Sequence, residues 1–330
     1  MILVFTNKED AHPNLVFDIL TERGVPFFRL NTEDLLTDYS LNWWADNEGS
    51  DFEIINKVTG LRLKGSEISA VWDRRPEAPD SLLLHNTPEI DQHNLQEGLA
   101  FLRFLRFYIE SIPSIGSIVG DRVASSKMLQ YRVARACGFS IPDTIFSNSK
   151  SEILKMAQRH ERICLKPIES SDIWDDENGV DYVFYTQTIS SRNLNSIPEE
   201  AFFQTVSFVQ EYISKAFELR VTVVDDSVIA TKILSQDLPE DKGKVDWRQG
   251  YDDGLIFEAF NLPGVIQDQC RTLVHSLGLN FGCIDLIVNP DGDYVFLECN
   301  PNGQWLWIEL STGQQISKAI ADFLTSREKK

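Results

Sequence analysis

Three oxygen-bearing side chains sit where an apolar run would otherwise be unbroken: Asp285 in the stretch 279–288, and Glu298 and Asn300 in 294–303. Asp291-Gly292 between the two runs marks a hairpin, so both read as strands. Glu298 and Asn300 are two residues apart, which puts them on one face of their strand, and Asp285 can meet them across the ladder. Two carboxylates and an amide oxygen form a hard, partly open ligand set suited to Mg²⁺ shared with nucleotide phosphates. Taken alone, the triplet also fits polar residues at a hairpin edge.

A cation of the right kind lies elsewhere. Lys166 falls within Ile163-Cys164-Leu165-Lys166-Pro167, an apolar strand in which an ammonium group is costly unless an anion compensates it. Lys127, on a preceding helix, can bring a second positive charge to the same polyphosphate, or be an ordinary surface lysine. Gln210-Glu211-Tyr212-Ile213 ends a strand before the next begins at 219, a crossing whose main-chain groups can meet an adenine edge. Glu211 or Glu218 is placed to hold a ribose. Arg74 and Arg75 follow the strand Ala70–Asp73, where open α/β sheets place ligands, unless they form surface ion pairs.

The elements that must carry these groups are legible in outline. A strand at 1–7, a helix at 14–23 stopped by Gly24 and a strand at 25–30 give a β-α-β opening and a parallel sheet. Short strands with polar turns fill 39–64, and a helix with an aromatic second half runs over 86–110. Its 99–109 face reads as core or as a dimer surface. After a Pro/Gly/Ser connector at 113–120, the pattern predicts one helix over 121–137 with Asp121 as its N-cap, then a helix at 151–160. Strands are expected at 182–186, 207–213, 219–224 and 229–235, a mobile loop at 169–181, a loop at 236–254 and a helix at 263–277. The domains expected from this are 1–118, 119–205 and 206–330.

Composition narrows the class. The 330-residue chain has 31 basic and 50 acidic residues, a net charge of -19, which argues against a nucleic-acid footprint. No segment approaches the roughly 18 apolar residues of a membrane span, and the start lacks a signal-peptide pattern. Five scattered cysteines without a CxxC pair point to reduced thiols and a cytoplasmic setting.

In this order and spacing, Lys127, Lys166, the 210–213 hinge, Arg220 in Glu-Leu-Arg-Val, Asp285 and Glu298-Cys299-Asn300-Pro301 resemble the ATP-grasp superfamily. The resemblance implies an α/β and α+β chain: an N-terminal parallel-sheet pre-ATP-grasp domain followed by two α+β lobes that clamp ATP. A narrower likeness rests on residues 300–309, on Asp246-Trp247-Arg248 and on Trp72-Asp73-Arg74-Arg75-Pro76. These look like the ATP-grasp peptide maturases that make microviridin-type graspetides, and the related maturases of grasp-with-SPASM systems.

That likeness implies ATP and Mg²⁺ as cofactors, with two ions, and a ribosomal precursor peptide as partner. A peptide carboxylate is activated as an acyl phosphate and then captured by a Ser/Thr hydroxyl or a Lys amine. Asp285, Glu298 and Asn300 would hold metal, and Lys127, Lys166, residues 210–213 and Glu218 would hold nucleotide. Arg220 and Arg248 are the implied catalytic arginines, because guanidinium pairs bidentately with acyl phosphate or carboxylate oxygens, although Arg248 also fits a surface position. Arg74, Arg75, Asp246, Trp305 and Glu309 are the substrate-binding candidates, with core packing the competing role for Trp305 and Trp307. The region 169–181 departs from the family by having only Gly179 where a glycine-rich phosphate loop is usual. Two other readings stand beside this one: a ligase adding free amino acids to a peptide or protein carboxylate, and a non-catalytic nucleotide-binding scaffold.

Overall fold

The computed structural model describes residues 1–80, 87–169, 172–175, 180–238 and 241–327. The chain opens as read: β1 (Ile2–Thr6), α1 (His12–Glu22) and β2 (Phe27–Asn31), with β1 and β2 parallel. Gly24 ends α1 in the left-handed region, at φ 68°, which only glycine adopts freely. β3 (Tyr39–Ala45), β4 (Ser50–Asn56) and β5 (Arg62–Lys64) make a separate antiparallel sheet. β6 (Ala70–Asp73) returns to pair with β1, and α2 (Pro88–Tyr108) precedes β7 (Ser114–Ile115) at the far edge, giving the parallel order β2-β1-β6-β7.

The predicted helix over 121–137 is two helices, α3 (Ile118–Ala124) and α4 (Lys127–Ala136). Ser126 is extended (φ -68°, ψ 103°) and breaks the run, and Ser117 caps α3 by accepting from Gly120 N at 2.7 Å. Asp121 therefore lies inside α3, and Lys127 opens α4.

β8 (Thr144–Ser147), α5 (Lys150–Arg159) and β9 (Ile163–Lys166) follow. The expected loop at 169–181 is an antiparallel hairpin of β10 (Asp172–Asp175) and β11 (Val180–Val183), and Gly179 lies outside the described residues. Of the expected strand at 182–186 only 182 and 183 belong to β11, and 184–186 form the link to β12 (Gln187–Ile189). After α6 (Ser191–Ser196) and α7 (Glu199–Phe202), β13 (Ser207–Glu211) completes a sheet of order β12-β9-β13-β8.

The last sheet has the order β16-β15-β14-β17-β18. Its strands are β14 (Phe217–Val224), β15 (Ser227–Ile233), β16 (Phe257–Phe260), β17 (Phe281–Val288) and β18 (Tyr294–Asn300). The segment expected as a loop at 236–254 contains α8 (Asp241–Val245) and a 3-10 turn, Trp247–Asp253. α9 (Gly264–Ser276) covers one face of the sheet, packing Cys270, Leu273 and Val274 against Leu219, Val221, Ile284 and Leu286. Beyond β18 the chain turns into α10 (Leu306–Thr312) and α11 (Ile316–Ser326). Ile316, Ile320, Phe323 and Leu324 of α11 share one core with Ile2, Val4, Val16, Leu20 and Trp72, so the N-terminal sheet is fused to the C-terminal lobe. All five cysteines are free.

Candidate active site

The face of the last sheet turned away from α9 carries polar residues in one cross-strand row. Thr231 faces Arg220, Arg220 faces Asp285, and Asp285 faces Glu298, across β15, β14, β17 and β18. In the neighbouring row Cys283 faces Asn300.

A β-bulge makes this possible. Leu286 pairs with Phe296 but Asp285 pairs with Glu298, leaving Leu297 as the extra residue. In an unbroken ladder Leu297 would face Asp285, and Glu298 would follow Phe296 into the core.

The charges on this face are paired in a specific way. One Arg220 guanidinium nitrogen spans both Asp285 oxygens at 2.9 Å, and Lys127 Nζ reaches Glu298 at 2.6 Å. The Glu298 side chain keeps 41% of its surface exposed, so its remaining acceptor capacity is open to a ligand. Burial raises both carboxyl pKa values, but Lys127, Lys166 and Arg248 outweigh it at Glu298 and hold that carboxyl down. At Asp285, burial prevails over Arg220 and the adjacent Glu298 adds to it, so that carboxyl is pushed up. Burial disfavours the Arg220 cation, but Asp285 more than offsets this and its pKa is raised.

Lys127 and Lys166 both neighbour Phe208. Phe208 is the cross-strand partner of Lys166, and Lys127 Nζ lies 6.0 Å from its ring centroid. Lys166 has no ion-pair or hydrogen-bond partner among the described residues, and burial lowers its pKa with further lowering from Lys215 and Lys127. A desolvated ammonium, unpartnered among the described residues and beside a second lysine, fits an anionic ligand.

Arg248 belongs to the same field. Asp246 holds it by two bonds, at 2.8 and 2.6 Å, and this pairing raises its pKa. Asp246 also accepts from Thr186 N at 3.0 Å, which ties the C-terminal lobe to the link leading into β12.

The hinge is mostly self-satisfied. Gln210 donates to Tyr131 and Thr144, Glu211 N to Asp143 O, and Tyr212 N to Arg162 O. The Glu211 carboxylate meets His160 Nδ1 at 3.0 Å. Ile213 N–H has no partner among the described residues, leaving one main-chain donor for a base edge.

Other expected contacts are engaged elsewhere. Glu218 is buried, where it accepts from Lys215 at 2.9 Å and Ser235 at 2.7 Å, so it is not presented to a ribose. Trp305 is fully buried against His12, because the chain turns into α10 there instead of continuing as a strand. Trp307 packs with Trp247, Tyr251 and Phe257. Glu309 accepts from Ser317 N at 2.7 Å and from Ser317 Oγ, fixing the start of α11 and not a substrate. Arg74 is buried and bonded to Asn302 and Gly303, whereas Arg75 is exposed.

Two residues were missed in the sequence. Gln130 gives hydrogen bonds to Ala124 O and Cys299 O and accepts from Cys299 N, while the Tyr131 hydroxyl donates to Leu297 O at 3.0 Å. Together they brace β18 on either side of Glu298. The signal was their spacing of three and four residues from Lys127, which puts all three on one helical face.

The donor set has the chemistry of a shared metal site. Among the described residues no group of three His, Cys, Asp or Glu side chains is arranged to hold a metal alone. Two carboxylates and the Asn300 amide would therefore leave the rest of an oxygen shell to phosphate and water, as Mg²⁺ prefers.

Residues 1–115 match the family model of the MvdD pre-ATP grasp domain. A Chryseobacterium gregarium RiPP-associated ATP-grasp ligase, in complex with ADP and a leader and core peptide, has a similar structure over nearly its whole length. The TM-score is 0.88 at 26% identity, covering 99% of this chain and 98% of that one. The chain has the fold of an ATP-grasp ligase. The Microcystis aeruginosa MRC macrocyclase MdnC, bound with precursor peptide MdnA, matches the chain at TM-score 0.82 and 28% identity, covering 98% of it and 99% of MdnC. The ATP-grasp ligase PsnB, complexed with minimal precursor, Mg and ADP, shares the fold at TM-score 0.76 and 19% identity over 99% of this chain and 97% of PsnB. No curated protein matches the chain in sequence.

Proposed function

We propose that this chain is an ATP-grasp ligase and an ATP-dependent macrocyclase of a ribosomal precursor peptide. An Asp or Glu side-chain carboxylate of the peptide attacks the γ-phosphorus of ATP, and ADP leaves. A Ser/Thr hydroxyl or Lys amine then attacks the acyl carbon, phosphate leaves with the carboxylate oxygen, and the nucleophile's proton passes to phosphate or solvent. Each ester or amide bond costs the peptide one water. The two relatives above 25% identity, described with leader and core peptide and with precursor peptide, support a peptide substrate.

The observation that carries the reading is Lys166, unpartnered among the described residues and within the electrostatic reach of Lys127 and of Glu298 in the Arg220–Asp285–Glu298 row. Lys127 and Lys166 bind the phosphates, and Ile213 N–H receives the base. Mg²⁺, held by Asp285, Glu298 and Asn300, neutralises phosphate charge when bound. Arg220 and Arg248 orient the peptide carboxylate and stabilise negative charge on its activated form. Arg75, exposed on the N-terminal domain, is a further contact for an acidic core. The modules are 1–118, 119–205 and 206–330.

Lys166→Met tests the site. Precursor-dependent ADP release should fall by roughly 10²-fold with an unchanged thermal transition, as when one preorganised charge-stabilising donor is removed. Retention of the parent rate would contradict the assignment.

The ligase also pairs with a second copy of itself in this reading. Trp43, Phe104, Phe107 and Tyr108 leave 41–61% of their surfaces exposed on one side of the N-terminal domain, with Trp43 edge-on to Tyr108. Light scattering during size exclusion should give twice the chain mass, and a monomer mass would contradict it.

A further inference from the structure

Arg74 is 1% exposed and lies 228 positions away in sequence from the residue it grips. Its Nη1 donates to Asn302 O at 2.8 Å and Asn302 Oδ1 at 2.5 Å, with Gly303 O at 3.4 Å. Its Nε faces Asp10 at 3.2 Å. Asp10 meets His12 Nδ1 at 2.8 Å, and His12 Nε2 accepts from Trp305 N at 3.3 Å. That acceptance fixes the tautomer, with the proton on Nδ1 and directed at Asp10.

Three side chains of the N-terminal domain thus hold residues 302–305 immediately after β18. The contact reaches the metal-ligand set in one step, because Asn302 N donates to Asn300 Oδ1 at 3.0 Å. The amide oxygen keeps a second lone pair for a cation, aimed by where Asn302 sits.

We infer that Arg74 is a positioning residue, which through Asn302 sets the Asn300 amide oxygen for Mg²⁺ and so makes the N-terminal domain part of the metal site. This rests on the metal assignment given above. A Lys at position 74 keeps the charge but loses the planar fork that spans two acceptors.

The test is a Mg²⁺ titration of ADP binding by calorimetry, using the full chain. Arg74→Lys should raise the Mg²⁺ midpoint about tenfold, the usual size of effect for a residue that orients a metal ligand, with ADP affinity in EDTA unchanged. A folded Arg74→Lys variant with the parent midpoint, or one whose EDTA affinity falls equally, overturns the inference. Asn302→Ala, at a half-buried position, serves if Arg74→Lys does not fold: it removes one of the two main Arg74 acceptors, and an unchanged midpoint overturns the inference equally. Asn300→Ala separates the two claims. If it shifts the midpoint while the other variants do not, only the positioning role fails; if it does not, the metal assignment fails and the inference with it.

Discussion

Lys166 shows how far a single residue can be read. Its placement in an apolar strand pointed to a compensating anion, since burying an ammonium group is costly in any fold. Arg74 shows the opposite: its sequence context suggested a ligand contact, but the acceptors of its Nη1 lie more than 200 residues away and no local pattern reports them. Asp121 was read as a helix cap, and instead lies inside α3 as a half-buried acid. Burial, with Asp73 nearby, pushes its pKa up to about 7, against the lowering effects of the Ser117 N–H and Arg106. Between the unfolded value of 3.8 and about 7, the folded chain binds a proton that the unfolded chain has released. This contribution to stability is therefore complete below pH 3.8 and lost as pH rises through 7. Asp121→Asn keeps the acceptor for Ser117 N and removes the charge. Its urea midpoint should exceed the parent's at pH 8 and approach it near pH 4; a constant gap at both pH values would show that Asp121 does not titrate as described.

At the scale of elements, strand alternation placed Glu298 and Asn300 on one face, and the hairpin put Asp285 opposite them. What alternation does not reveal is the bulge at Leu297 that keeps Glu298 out of the core below Phe296. The break at Ser126 was equally hidden, because the apolar spacing runs through it and only the backbone turn starts α4 at Lys127. The regions misjudged as loops, 169–181 and 236–254, are short polar elements without enough apolar residues to show a period. The turn after β18 is tight for a steric reason. A Cβ at Gly303 would lie 2.4 Å from Cys283 Cβ, so Gly303→Ala must push the Asn300–Gly303 turn off β17. The expected cost is about 1–3 kcal/mol in chemical denaturation, as for overpacking a close contact. An unchanged midpoint would mean that the turn moves freely.

Over the whole molecule, the order of the elements that carry the motifs was legible because each motif lies on its own element, but the joint between the first sheet and the last helix was not. α11 completes the N-terminal core with Ile316, Ile320 and Leu324, and Arg74 reaches from that core to the loop behind Asn300. The central sheet carries Lys166, and Asp246 couples the link before β12, at Thr186, to Arg248. Residues from the N-terminal sheet, the central sheet and the last sheet thus gather around one group of charges in a chain of net charge -19, and in the proposed function these arginines and lysines would receive an acidic peptide. No helix of the described residues is long and apolar enough to cross a membrane. The most direct test of macrocyclisation is the intact mass of a precursor peptide incubated with this ligase, ATP and Mg²⁺. The account predicts a loss of about 18 Da for each ADP released, the mass of one water per condensation. A gain in amino-acid increments, or an unchanged peptide, would contradict it.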